Sequence, residues 1–174
     1  MILTTQRLLL RPMQPGDAPA LFAILGDAEA MAFWDRPALP RLATVEAQMA
    51  DELAAMAAGG FLYWTVLKAA EAIGAVDLSN MDGHSASAGF AFRRDMWGRG
   101  MAREAMAALI GNAFGPLGLS RLTARVQNGN QRALKLLEAL GFQKERELPG
   151  IVRDGEQRGC ALYGLSKSVS RNGT

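Results

Sequence analysis

Apolar positions along the chain change period several times, and each change marks an element. Arg7-Leu8-Leu9-Leu10-Arg11 is a short apolar run stopped by Pro12, which predicts a first strand ending at the proline. Gly16-Asp17-Ala18-Pro19 opens a helix to about Leu25, with Asp17 placed to cap free N–H groups and Pro19 tolerated in the first turn. After a loop holding Trp34, Pro37 and Pro40, Thr44 is a good N-cap. Val45, Met49, Leu53 and Met56 then recur at helical spacing until Gly59-Gly60 stops the pattern. Phe61 to Lys68 is aromatic and β-branched and reads as a strand, Ala69-Ala70-Glu71 as its turn and Ile73 to Leu78 as the returning strand. Asn80-Met81-Asp82-Gly83 is a turn signal, and Ser85 to Phe92 is the next strand.

The rhythm changes in the second half. Met101 to Phe114 is a helix with Ala105, Leu109 and Ala113 on one face, ended by Pro116 and Gly118. Leu122 to Val126 is a strand, and Asn130 to Leu140 is a helix closed by Gly141. Gln143 to Leu148 and Gln157 to Leu165 can pair as closing strands. Strand, two helices, three strands, helix, strand, helix and two strands predict an α/β chain with a mixed, mostly antiparallel sheet of about seven strands and helices on both faces. Residues 1–168 are expected to form one domain and 169–174 a flexible, polar tail.

Composition narrows the function classes. With 174 residues, 49% of them hydrophobic and 21% charged, the chain can build a core without disulfides or metals. A net charge of +2 gives no reason to expect a nucleic-acid partner. Cys160 is the only cysteine and His84 the only histidine, so neither an internal disulfide nor a cysteine- or histidine-rich metal site is expected. Met1 to Arg11 has no apolar stretch of signal-peptide length and no run spans a bilayer, which leads us to expect a cytoplasmic protein away from the membrane.

The chemistry concentrates in Arg93-Arg94-Asp95-Met96-Trp97-Gly98-Arg99-Gly100-Met101-Ala102, between a strand and a helix. A helix start leaves N–H groups unpaired, and their partial charge favours an anion. Gly98 and Gly100 clear side chains from the approach, while Arg93, Arg94, Arg99 and Arg103 add positive charge. The Lys-Ser/Thr of a Walker loop is missing, and Arg103 stands where a dinucleotide fingerprint needs its third glycine. Alone, the segment supports either an anion site or a glycine-rich turn with solvated arginines.

A second constellation, Gln127-Asn128-Gly129-Asn130-Gln131-Arg132-Ala133 and Leu140-Gly141-Phe142, separates these. With the first loop it resembles the GCN5-related N-acetyltransferase (GNAT) superfamily. The superfamily's Gln/Arg-x-x-Gly-x-Gly/Ala falls on Trp97 to Ala102, with Trp97 the departure. Trp-Gly-x-Gly-x-Ala and the opening Thr5-Gln6-Arg7-Leu8-Leu9-Leu10-Arg11-Pro12 are similar to the branch that acetylates ribosomal-protein N-termini. The resemblance implies a cofactor cleft between splayed strands, acetyl-CoA as acyl donor and an amine acceptor, either a protein N-terminus or a small amine; it also admits a homodimer. It implies that Phe90, Ala91 and Phe92 offer backbone to the pantetheine arm, that Arg99 to Ala102 hold the pyrophosphate, that Asn130 meets the pantetheine or thioester, and that Arg132, Ala133 and Lys135 lie toward the nucleotide end.

Direct attack of an amine on a thioester needs a group that takes a proton and a donor for the carbonyl oxygen. Relatives place a hydroxyl acid at positions that here hold Leu137 and Ala133. Asp77, near a strand end, His84, after an Asp-Gly turn, and Glu104, in the first turn of the motif helix, are the candidate bases; a turn carboxylate, a solvated histidine and a dipole-facing carboxylate are their structural alternatives. Phe33, Trp34, the Pro37–Pro40 loop and the helix after Thr44 would wall the acceptor side, where Glu46, Asp51 and Glu52 could attract a cationic amine. Cys160 reads as a small buried hydrophobe. A non-catalytic acyl-CoA sensor is the rival reading.

Overall fold

A computed structural model of the chain describes residues 1–153 and 155–167. The strands are β1 (Leu3–Thr4), β2 (Leu9–Pro12), β3 (Leu62–Lys68), β4 (Glu71–Ser79), β5 (Ser85–Phe92), β6 (Arg121–Gln127), β7 (Gln143–Arg153) and β8 (Glu156–Ser166). The α-helices are α1 (Ala18–Leu25), α2 (Leu42–Ala57), α3 (Met101–Phe114) and α4 (Gln131–Ala139). The strands form one eight-stranded sheet in the order β1-β2-β3-β4-β5-β6-β8-β7. Every neighbouring pair is antiparallel except β5 and β6, which run parallel around the α3 crossover.

Strand periodicity sorts side chains onto two cores. Val76 and Leu78 of β4 join the larger core with Ala105, Leu109 and Ala113 of α3 and Leu137 of α4. Ala75 turns to the other face, where Leu21 and Ile24 of α1 pack with Val45 and Met49 of α2. Asp77 keeps the phase of Ala75, so it points toward the α1–α2 side, opposite Gly89 of β5 in the register. No helix among the described residues is long and apolar enough to cross a membrane.

The structure has one strand more than the sequence pattern predicts, because the two-residue β1 pairs with β2 through Leu3–Leu10 and Thr4–Leu9. Pro12 lies inside β2 rather than after it; β1 pairs only with Leu9 and Leu10, so the missing proline N–H deprives no neighbour. Thr44 is not a cap, since α2 begins at Leu42 with Arg41 ahead of it and no side-chain cap. Asp17 does precede α1, but its carboxylate accepts from Arg11 Nη1 and Nη2 (2.8 and 2.6 Å), Thr65 Oγ1 (2.6 Å) and the Gln14 amide (2.9 Å) instead of capping the helix. The β3–β4 turn is Ala69-Ala70, both left-handed, with Glu71 already paired to Lys68. The expected tail, 169–174, falls outside the described residues.

Candidate active site

β5 and β6 pair only from Ser85–Arg121 to Ser87–Thr123. Beyond that the strands diverge, leaving the β5 backbone from Ala88 to Phe92 without a β6 partner. The wedge opens into a cleft of three adjoining chambers. An outer chamber of about 400 Å³ is lined by Phe90, Ala91 and Phe92 of β5, the Trp97–Ala102 loop and the start of α4. A central chamber of about 360 Å³ reaches Asp77, Gly89, Gln127, Asn130 and Cys160. An inner chamber of about 200 Å³ ends against α2 at Gln48 and Glu52. Trp34 and Phe90 touch all three.

The loop at the outer chamber has the conformation its glycines permit. Gly98 (φ 72°) and Gly100 (φ 76°) are left-handed, which a Cβ would resist. Gly100 caps α3, and the first helical bond runs from the Glu104 amide to the Gly100 carbonyl at 3.0 Å. The amides of Met101, Ala102 and Arg103 precede that bond, so they are free for an anion, and all three residues line the outer chamber. An acidic phosphate group fits such a donor set.

The expected cluster of four arginines is reduced by partners far away in sequence. Arg93 pairs with Asp95 at 2.6 Å and with Glu71. Arg94 binds Asp27 and Glu29, each at 2.6 Å. Arg99 is exposed and is not a lining residue; its carbonyl accepts from Arg7 Nη1 at 3.2 Å. Arg103 and Arg132 do line the chamber. Trp97, the departure from the superfamily pattern, donates from Nε1 to the Phe92 carbonyl at 3.0 Å and carries the Arg132 guanidinium 3.7 Å above its ring. It thereby joins the end of β5 to the first turn of α4.

Asn130 caps α4 through Oδ1, which accepts from the Ala133 amide at 3.2 Å, leaving Nδ2 available to the cleft. Asn130 and Ala133 line both the outer and central chambers. Leu137 is fully buried in the larger core, so its position contributes packing rather than an acid.

Asp77 stands where the central and inner chambers meet. Its carboxylate lies over the Gly89 backbone so closely that a Cβ there would sit 2.2 Å from Oδ2. Burial, and then the charge of Glu52, pushes the Asp77 carboxyl up to about 7. Burial also raises Glu52 despite the hydrogen bond it accepts from Gln48 Nε2 at 2.6 Å. Tyr63, walled in beside them, is raised by burial and stays protonated. Of the three acidic residues expected on α2, only Glu52 faces the cleft; Glu46 and Asp51 are exposed. Arg36, Tyr63, Gln48 and Arg125 also line the cleft, but no sequence spacing singles them out.

The other two candidate bases are elsewhere. Glu104 accepts from Thr5 Oγ1 (2.6 Å), the Arg7 amide (2.8 Å) and Arg7 Nε (2.6 Å), tying the N-terminal segment to α3. Against the opposing effect of burial, these bonds hold its carboxyl below the usual range. His84 is exposed at the start of β5, roughly 16 Å along the strand from Gly89 at ~3.3 Å per residue. Its amide donates to Asp82 Oδ1 at 2.8 Å. Cys160 is wholly buried, and Arg125 Nη2 approaches its sulfur at 3.6 Å.

A segment over the cleft is fastened from the other half of the sheet. Arg153 Nη1 donates to the carbonyls of Met31 (2.5 Å), Ala32 (3.0 Å) and Trp34 (2.8 Å), and Arg158 Nη1 to Ala32 (2.8 Å). Arg125 of β6 holds Asp35 at 2.9 Å.

Comparison with known proteins gives this geometry a family. The acetyltransferase (GNAT) domain matches residues 7–143. An uncharacterized N-acetyltransferase, p20, of Bacillus licheniformis is 31% identical over 89% of this chain and 87% of its own. The ribosomal L7/L12 alpha-N-protein acetyltransferase RimL, solved in complex with coenzyme A, superposes with a TM-score of 0.87 at 15% identity, covering 95% of this chain and 98% of that one. A spermidine N-acetyltransferase from Vibrio cholerae, solved with coenzyme A and spermine, superposes with a TM-score of 0.83 at 20% identity, covering 93% and 96%. A glycine-capped helix start at a splayed parallel strand pair, in a chain that carries the domain, establishes that the protein belongs to the GNAT acetyltransferase family and is an acyl-CoA-dependent N-acyltransferase using acetyl-CoA.

Proposed function

We propose that the protein moves the acetyl group of acetyl-CoA to a primary amine by direct attack, with Asp77 taking the proton from the attacking nitrogen. The observation that carries this reading is a carboxyl at the junction of the central and inner chambers whose affinity for a proton is raised to about 7. A carboxylate whose proton affinity is raised toward neutral pH by burial is a better general base for the attacking nitrogen than a solvated one. The N–C bond forms as the C–S bond breaks, the electron pair departs on sulfur, and the proton passes through Asp77 to solvent.

The remaining roles follow from the lining. The amides of Met101 to Arg103, with Arg103 beside them, would hold the pyrophosphate. The unpaired β5 edge at Phe90–Phe92 would take the pantetheine arm as an added strand. Acetyl-CoA supplies an activated carbonyl there, and Asn130 Nδ2, which lines the outer and central chambers and has no protein partner among the described residues, would donate to its oxygen.

A thermal-shift comparison of acetyl-CoA, coenzyme A and ATP, followed by thiol release against a broad amine panel, tests the reading. Stabilisation by the coenzyme and turnover with at least one amine are expected. Gly100→Glu is expected to abolish coenzyme binding, because it adds both a Cβ at φ 76° and a charge that repels phosphate. Tight coenzyme binding with no turnover of any amine would favour the sensor.

A further inference from the structure

We infer that the acceptor is a free α-amino acid whose side chain ends in a hydrogen-bond donor, its carboxylate held by Arg36 and its side chain running to Glu52. This rests on the N-acetyltransferase reading above and names that enzyme's acceptor.

Arg36 is half-buried and lines both the central and inner chambers. Among the described residues it makes no hydrogen bond or ion pair: the face of Trp34 lies 5.8 Å from the guanidinium carbon, and its charge reaches Glu52 across the inner chamber. The adjacent Asp35 is committed to Arg125 at 2.9 Å, so it does not neutralise Arg36. A guanidinium left unpaired on the wall of a cleft presents donors to an anion, and its fork matches a carboxylate. Glu52 closes the far end of the inner chamber. Its Oε1 accepts from Gln48, and its other oxygen has no donor among the described residues.

The lining therefore presents a proton acceptor, an unpaired cation and an unpaired carboxylate oxygen around one cavity. An α-amino acid has complementary groups for all three: the nitrogen at Asp77, the carboxylate at Arg36 and a side-chain donor at Glu52. Leu25, Phe61 and Ala75 supply apolar walls for the side chain between them. About 200 Å³ equals the share of roughly seven waters, at ~30 Å³ each, which suits one side chain and not a folded peptide segment. A polycation fits the same lining worse, because the Arg36 charge on the chamber wall repels it. The products would be an N-acetyl amino acid and free coenzyme A.

The test is steady-state thiol release with the twenty protein amino acids, the decarboxylated amine and methyl ester of each active one, spermidine and short N-terminal peptides. Amino acids with donor-tipped side chains are expected to be the best acceptors. Removing the carboxylate charge should raise KM about 10- to 100-fold, the range of a lost charge-assisted hydrogen bond. Arg36→Met should raise KM for the amino acid by a similar factor, change kcat less than about threefold, and erase the preference over the decarboxylated amine. Glu52→Gln should weaken selection among side chains. Should Arg36→Met fail to fold or to bind coenzyme A, the comparison of acid, ester and amine on the unaltered enzyme decides alone. Preference for spermidine or a peptide over every free amino acid overturns this inference and leaves acetyl transfer standing. Silence with all amines overturns both readings.

Discussion

Gly89→Ala separates the position of Asp77 from its presence. The strand pairing puts Gly89 directly across from Asp77, and the glycine has no left-handed φ, so alanine suits its backbone. The added Cβ would stand 2.2 Å from Oδ2 and 2.9 Å from Cγ of Asp77. Ordinary C···O contacts lie at ~3.3–3.6 Å, so the carboxylate must retreat by about 1 Å. A displacement of that size in a reacting group costs about 100-fold, or ~2.7 kcal/mol of barrier. Stability should suffer less, by about 1 kcal/mol, at the low end of overpacking costs, because the end of a side chain yields rather than the backbone. The assay is kcat/KM by thiol release beside a thermal melt and a coenzyme titration. Asp77→Asn should lose at least as much activity. The double variant should be no slower than Asp77→Asn alone, since the two changes act through one group. A Gly89→Ala enzyme with unaltered kcat/KM would refute Asp77 as the base.

Three further outcomes follow from the same contacts. Ala70 sits at φ 69° in the two-residue β3–β4 turn, so Ala70→Gly should raise stability by about 0.5–1 kcal/mol in a denaturant melt; an unchanged or lower midpoint would deny the strain. Glu104→Gln should cost about 1 kcal/mol, a figure discounted for exposure, while kcat/KM stays within about twofold, as it should in His84→Ala. The Glu104 contribution is present above the ordinary glutamate range and is lost as pH falls through its depressed value, so that gap closes in acid. Asp77 has the opposite sign: its folded value is raised from 3.8 to about 7, so its ionisation lowers stability as pH climbs between them. Asp77→Asn should therefore be more stable than the parent by on the order of 1–4 kcal/mol at pH 8 and equal to it below about pH 4, measured by urea unfolding.

The elements that periodicity predicts well are those whose own faces settle their place. In α3, Ala105, Leu109 and Ala113 are all fully buried, and the Ser85–Phe92 strand has the predicted bounds. What escaped depends on partners distant in sequence. β1 is two residues held by backbone pairing, too short to carry a period. Arg93 and Arg94 read as phosphate ligands because Glu71, Asp27 and Glu29 lie 22 to 67 positions away. The glycine loop was legible because its chemistry is local: a left-handed backbone at a helix start. The sequence names Asp77, Glu104 and His84 as candidates with a structural alternative for each, and only the fold puts Asp77 in the cleft, Glu104 of α3 beside Thr5 and His84 just ahead of β5. Arg36 sits in a loop without regular period, and only the folded cleft reveals what it faces.

The arginine contacts from β6, β7 and β8 to the Met31–Asp35 segment have a mechanical consequence. Two strands that meet at one end and diverge at the other form a hinge, free to open. Fastening Asp35 to Arg125 and the carbonyls of Met31, Ala32 and Trp34 to Arg153 and Arg158 adds a third side across the open end. A hinge with a crossbar is a triangle, and a triangle keeps its angle. Such a bar resists spreading of the wedge, so the shape of the cleft rests on three arginines as well as on the sheet.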